Sequence, residues 1–233
     1  MFNSRSAEEV LPLLFTLLGG EDTVRSALDV GCGIGTWLAA SVKLGVPEIL
    51  GLDGDHVDRE ALVMDVDRFV ACDLTQPQDI GRRFDLAFCL EVGEHLPPEA
   101  ADGLVDLLTT LSDRVLFSAA LPGQGGQHHL NEQWPAYWAE KFREKGYRCH
   151  DTLRHRIWEN DHVEWWYRQN LLLFLRNGVS PELEGSDPAP LVHPGCLKRA
   201  RDRHQEAVRR KSGIRGVTRE LGSIARRLFR GPS

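Results

Sequence analysis

The stretch Leu28-Asp29-Val30-Gly31-Cys32-Gly33-Ile34-Gly35-Thr36 sets three glycines directly behind an apolar run and ahead of a helical segment, 36–44. Glycine reaches positive φ without strain and lets a ligand approach the backbone, because no Cβ intervenes. The next apolar run, 49–52, ends in Asp53, eighteen residues beyond Gly35. In a strand–turn–helix–strand unit, a carboxylate there can accept from both hydroxyls of a ribose. The alternation continues outward: a short strand over 69–71 ending near Asp73, a strand over 85–90, a helix over 98–111 and a strand over 115–119. This βαβ rhythm predicts a parallel sheet. Upstream, Ser6, Glu8 and Glu9 open an amphipathic helix in which Pro12 is expected to place a kink and which Gly19-Gly20 ends. Downstream, a helix around 134–145 precedes two antiparallel strands at 147–153 and 170–175.

The glycine loop admits two readings. The dinucleotide fingerprint is G-x-G-x-x-G, whereas this loop is G-x-G-x-G with Asp29 in the preceding strand end, a spacing that favours a nucleoside cofactor without a pyrophosphate. A nicotinamide-dependent oxidoreductase, or a non-catalytic nucleoside-binding or scaffold protein, stays open as an alternative at this point.

Charge is unevenly placed in the 233 residues. Residues 198–233 hold twelve basic and three acidic side chains, +9, while the rest carry 16 and 31, or -15, within a total of -6. Such asymmetry marks contact with nucleic acid, a membrane surface or a partner protein. The tail spaces Ile214, Val217, Leu221, Ile224 and Leu228 three and four apart among arginines, the pattern of a basic amphipathic helix. It contains one aromatic, Phe229, too few for a stacking surface, which argues against nucleic acid. A peripheral membrane contact, docking on the acidic body, a protein partner or a solvated helix remain. Residues 178–197, with Pro181, Pro188, Pro190 and Pro194, read as a linker, dividing the chain into 1–177, 178–197 and 198–233. No run of 18 apolar residues occurs, the Leu-rich stretch 10–20 lacks a basic flank, and the five scattered cysteines form no C-x-x-C. The expectation is a cytoplasmic protein with reduced thiols.

Taken together, the segments 28–35, Gly51-Leu52-Asp53-Gly54, Cys72-Asp73-Leu74 and 84–96 (Phe-Asp-Leu-Ala-Phe-Cys-Leu-Glu-Val-Gly-Glu-His-Leu) resemble the class I S-adenosylmethionine-dependent methyltransferases. The resemblance implies an α/β fold: a three-layer, doubly wound, Rossmann-like sheet of seven strands in the order 3-2-1-4-5-7-6, with strand seven antiparallel. Carried over by position, it places Asp29, Gly31, Cys32, Gly33 and Gly35 around the methionine part of S-adenosylmethionine. Asp53 and Gly54 fall at the ribose, Asp73 and Leu74 at the adenine, and Leu90 and Glu91 near the sulfonium. A sulfonium cation suits an acidic cleft.

Methyl transfer to a hydroxyl needs a base, and the candidates are His129, His128 and His95. Gly125-Gly126-Gln127-His128-His129-Leu130-Asn131-Glu132-Gln133 continues to Tyr137-Trp138 in a pattern similar to a bacterial methyltransferase group, in which His129 is the matching histidine. Capping of the following helix by Asn131 is the competing structural role. The expected acceptor is an oxygen, less so a nitrogen, of a small molecule or glycan. No metal site is expected, since His128 and His129 are adjacent and no carboxylate pair has ligand spacing.

Overall fold

The structure is a computed structural model that describes residues 4–180 and 182–209. Seven strands form one sheet in the order β3-β2-β1-β4-β5-β7-β6. They are β1 (Ser26–Val30), β2 (Glu48–Asp53), β3 (Phe69–Ala71), β4 (Leu86–Leu90), β5 (Arg114–Ser118), β6 (Tyr147–His150) and β7 (Leu172–Arg176). The first five pair in parallel, and β7 runs antiparallel between β5 and β6. The order and the antiparallel last strand match the sequence expectation.

Helices cover both faces: α1 (Arg5–Leu17), α2 (Thr36–Lys43), α3 (Ala101–Leu111), α4 (Pro135–Glu144), α5 (Thr152–Ile157) and α6 (Trp165–Asn170). Successive strand residues point to opposite faces, so each strand feeds two cores. In β4, Leu86, Phe88 and Leu90 join one core with Leu11 and Leu14 of α1, Trp37 and Leu38 of α2, and Leu153 and Ile157 of α5. Ala87 and Cys89 join the other, with Leu104 and Leu108 of α3 and Trp138 and Phe142 of α4. That is why β4 is buried along its whole length and reads as an unbroken apolar run.

Two expected boundaries shift by three residues, others by one or two. Residues 98–100 form a 3-10 turn before α3 starts at Ala101. The strand expected over 147–153 stops at His150, because the Asp151 carboxylate folds back on the Arg154 guanidinium three residues on, a pairing made in a helical turn and not in a strand.

The chain separates into two compact units, 1–193 and 194–233. Within the first, the proline-containing segment is tied to β6 and α5: Ser186 N donates to the Cys149 carbonyl at 2.8 Å, and the Ala189 N–H donates to Asp151 at 3.2 Å. In the second, residues 194–209 are helical. The amphipathic pattern at Ile214, Val217, Leu221, Ile224 and Leu228 lies outside the described residues. Among the described residues no helix is long and apolar enough to cross a membrane, and all five cysteines are free.

Candidate functional site

The C-terminal ends of β1, β2 and β4 open into a cleft, the usual ligand position in a doubly wound sheet. One part, of about 880 Å³, is lined by Gly31, Asp53, Gly54, Asp73, Leu74, Glu91 and His95 among others. An adjoining part of about 590 Å³ shares Gly31, Glu91 and His95 and adds Asp29, Cys32, Gly33, Trp37, Leu90 and Tyr167.

The glycine loop builds the floor. Gly31 has φ +83°, and a Cβ there would lie 2.2 Å from a Val92 methyl, so no other residue fits between β1 and the turn after β4. Gly33 has φ +53°, and nothing stands within 4 Å of where its Cβ would project. Gly35 differs from its neighbours: it is the N-cap of α2, packed against the Met64 thioether, and it does not line the cleft.

Asp53 joins the loop to β2. Its Oδ2 accepts the Gly33 N–H at 2.7 Å and its Oδ1 accepts the Gly54 N–H at 2.6 Å, which leaves further lone pairs of both oxygens for a ligand. Asp29, buried at the end of β1, has its carboxyl pushed up to about 7, first by burial and then by the charge of Asp53. Burial also raises the Cys32 thiol. Asp73 is exposed, and its Oδ1 accepts from the Thr75 N–H at 2.9 Å and hydroxyl at 2.7 Å, which holds the carboxyl below its usual range.

Glu91 is the most constrained residue here. It carries φ +56°, unusual for a non-glycine, while its N–H donates to the Ser118 carbonyl at 2.9 Å. Its carboxylate accepts from Asn170 Nδ2 at 3.0 Å and Gln124 Nε2 at 3.2 Å. Gln169 Nε2 in turn donates to Gln124 Oε1 at 2.8 Å, and His193 N donates to Gln169 Oε1 at 2.9 Å. Burial nevertheless raises the Glu91 carboxyl above its ordinary value. Glu94 is 1% exposed, and its carboxyl rises to about 9 through burial and the adjacent charge of Glu91.

The three candidate histidines separate. His95 lines the cleft, and its ring meets that of His129 edge-on with centroids 4.9 Å apart. His129 Nδ1 is 2.8 Å from Glu132 Oε1, and that carboxylate also accepts the N–H groups of Gly123 and Gly125. Burial and the neighbouring His129 lower the His95 pKa. His128 is exposed, with φ +57°, and does not line the cleft. Asn131 does not cap α4, whose N-cap is Trp134; it is buried, accepting from Gln133 Nε2 at 2.9 Å.

Sequence reasoning offered Gln169 and Asn170 as polar groups for a ligand and Glu132 as a carboxylate beside the histidines; it did not anticipate that Gln124, Gln169 and Asn170 hold Glu91, that Glu132 anchors His129, or that Glu94 is buried beside them. The available signal was the polar pair Gln169-Asn170 abutting the apolar run Leu171–Leu175, an expensive place for amides unless they are hydrogen-bonded.

A family model described as a methyltransferase domain matches residues 2–170. No curated protein sequence matches the chain. Among solved structures, the chain is similar to an O-methyltransferase family protein from Burkholderia thailandensis, with 17% identity and a TM-score of 0.51, covering 75% of this chain and 58% of that one. It is similar to the sugar N-methyltransferase KedS8 from a Streptoalloteichus species, with 16% identity and a TM-score of 0.53, covering 73% and 86%. It is also similar to magnesium protoporphyrin IX methyltransferase from Synechocystis with bound S-adenosylhomocysteine, with 20% identity and a TM-score of 0.50, covering 74% and 82%. At these identities the likeness is one of fold.

Proposed function

The chain belongs to the methyltransferase-domain family, and from that premise we propose that it methylates an oxygen of a small molecule or glycan, with S-adenosylmethionine as donor. When bound, that cofactor supplies a methyl group on a sulfonium, which passes to a nucleophile in line with the S–C bond while the electron pair stays on sulfur. The residues of the cleft fit it. The open side of Gly33 is space a Cβ would fill. The spare lone pairs of Asp53 suit ribose hydroxyls, and the buried carboxyl of Asp29 suits the cofactor's ammonium, which offsets the cost of ionising it there. Asp73 and Leu74 line the same space and suit the adenine. Glu91, fixed by Asn170 and Gln124, sets a negative edge for the sulfonium.

The reading of an oxygen acceptor rests on one observation: His95 lines the cleft and His129, anchored by Glu132, stands against it. A hydroxyl entering beside them meets imidazoles that favour its deprotonated form, which an amine acceptor does not require. His128, outside the cleft, is given no part.

Calorimetry with S-adenosylmethionine, S-adenosylhomocysteine and NAD tests the reading. Binding of both sulfur nucleosides, weakened in Asp53→Ala, is the expected result; failure of both to bind, or preference for NAD, overturns it. With an acceptor found by screening hydroxyl-bearing small molecules and glycans, His129→Ala is expected to lose turnover while still binding S-adenosylhomocysteine. Methylation confined to amines would refute the oxygen assignment.

A further inference from the structure

Glu94, His95 and His129 each offer a ligand atom, and these atoms lie within 4.8 Å of one another. We propose that the three side chains bind one divalent metal ion at the rim of the cleft. The expectation from sequence was no metal, because neither adjacent histidines nor any carboxylate pair has ligand spacing; the fold brings together two residues after β4 and one from the loop after β5.

Two independent observations support a cation there. Glu94 is 1% exposed, and its carboxylate, beside that of Glu91 and near the backbone N–H groups of Glu94 and Ala120, makes no hydrogen bond of good geometry among the described residues. Buried acceptors of this kind are costly unless something supplies positive charge, and nearly all in native proteins are satisfied. The second is the outer partner of His129. A metal-ligating histidine characteristically gives its other ring nitrogen to a carboxylate that fixes ring and tautomer, and His129 Nδ1 lies 2.8 Å from Glu132 Oε1, leaving Nε2 as the ligating nitrogen. Glu132 is itself held by the backbone N–H groups of Gly123 and Gly125, so the ring has a rigid support.

Two imidazoles and one carboxylate form a mixed donor set suited to borderline divalent ions such as Mn²⁺, Co²⁺ or Zn²⁺, with coordination positions left open. His95 lines the cleft, so those positions face the acceptor's side. An acceptor hydroxyl coordinated there gives up its proton to water more readily than a free one. This use of the ion rests on the methyl-transfer reading, with the two imidazoles then acting through the ion instead of taking the proton themselves; the binding of the ion does not rest on it.

The experiment is calorimetric titration of the metal-stripped full chain with Mn²⁺, Co²⁺ and Zn²⁺, alongside S-adenosylhomocysteine binding and thermal melting of every variant. The expected result is one ion per chain, weakened at least about 100-fold by Glu94→Gln and by His129→Ala and about 10- to 100-fold by Glu132→Gln. Asp53→Ala, which removes the proposed ribose contact, is expected to leave ion binding intact. Absence of stoichiometric binding by all three ions overturns the proposal, as does binding that survives both Glu94→Gln and His129→Ala in folded protein. Failure of the native chain to bind S-adenosylhomocysteine while it binds the ion would count against the cofactor assignment alone.

Discussion

Asp53 and Gly33 share a hydrogen bond of 2.7 Å that ties the end of β2 to the middle of the glycine loop. The same carboxylate accepts from Gly54 at 2.6 Å, so one side chain at a strand end both shapes the loop and faces the cleft. A hydrogen bond to a charged group contributes about 1.5–3 kcal/mol, so Asp53→Ala should weaken S-adenosylhomocysteine binding roughly 10- to 150-fold. Asp53→Asn, which keeps an acceptor oxygen for only one of the two backbone N–H groups, should fall between. Isothermal titration of the three proteins measures the series, and equal affinities would remove Asp53 from the ligand site.

Asp29 makes both stability and ligand binding depend on pH. Its carboxyl titrates near 7 in the folded chain against 3.8 as the ordinary value, so between those pH values the folded state binds the extra proton. Stability therefore decreases as pH rises through that window and levels off above it, by up to about 4 kcal/mol from this group. Asp29→Asn should raise the melting temperature at pH 8 and leave it little changed at pH 4. A cationic ammonium favours the ionised carboxylate, so S-adenosylhomocysteine affinity should rise between pH 6 and 7.5 in the native chain and stay flatter in Asp29→Asn. Calorimetry across that range checks the sign.

The sheet was legible because its signals are local. A glycine loop between two apolar runs, an acid closing the second run and the unbroken apolar stretch of β4 each lie within a few residues, and they recur in chain order. The lining of the cleft was legible where it follows the same grammar, at Asp29, Gly31, Cys32, Gly33, Asp53, Gly54, Asp73, Leu74, Leu90 and Glu91. What escaped is assembled by long-range contact: Asn170 reaches Glu91 across 79 positions and Gln169 reaches Gln124 across 45. Helical or strand periodicity carries no information about such pairs. Gly35 was grouped with the loop by spacing, but its backbone serves the N-cap of α2, a distinction that depends on which side its missing Cβ faces.

Arg154 holds the far side of the site in place. It is fully buried, pairs with Asp151, and donates to the carbonyls of Gln169 and Ala189, both at 2.9 Å. The pair thus fastens the proline-containing segment to α6, from which Gln169 and Asn170 reach Glu91. Removing one partner of a buried pair leaves a charge unmatched, so Arg154→Ala should destabilise the fold by about 3–5 kcal/mol. Replacing both partners, as Arg154→Met with Asp151→Ala, should cost less than the sum of the two single changes. Urea unfolding of the double-mutant cycle measures this, and additive effects would show that the two side chains act separately.

Two glycines near the histidines should respond differently to alanine. At Gly93 a Cβ would come within 2.7 Å of the ring of Trp138, which is 2% exposed and packed against Phe117 and Tyr137. That ring has nowhere to move, so Gly93→Ala should cost about 1–3 kcal/mol of stability. At about 2–4 °C per kcal/mol for a chain of this size, the drop is readable in a melt. At Gly126 a Cβ would lie 2.1 Å from His129 Nε2, at the edge of a partly exposed ring in an open loop. There the strain falls on the His129–Glu132 contact at the rim of the cleft and not on the core, so the melting temperature should change less than in Gly93→Ala. The displaced imidazole should instead cost function: a shift of about 1 Å in a reacting constellation lowers turnover on the order of 100-fold. Gly126→Ala is thus expected to melt closer to the native chain than Gly93→Ala does, to bind S-adenosylhomocysteine normally and to transfer methyl groups poorly. Normal turnover in that variant would place the acceptor's activation away from His129.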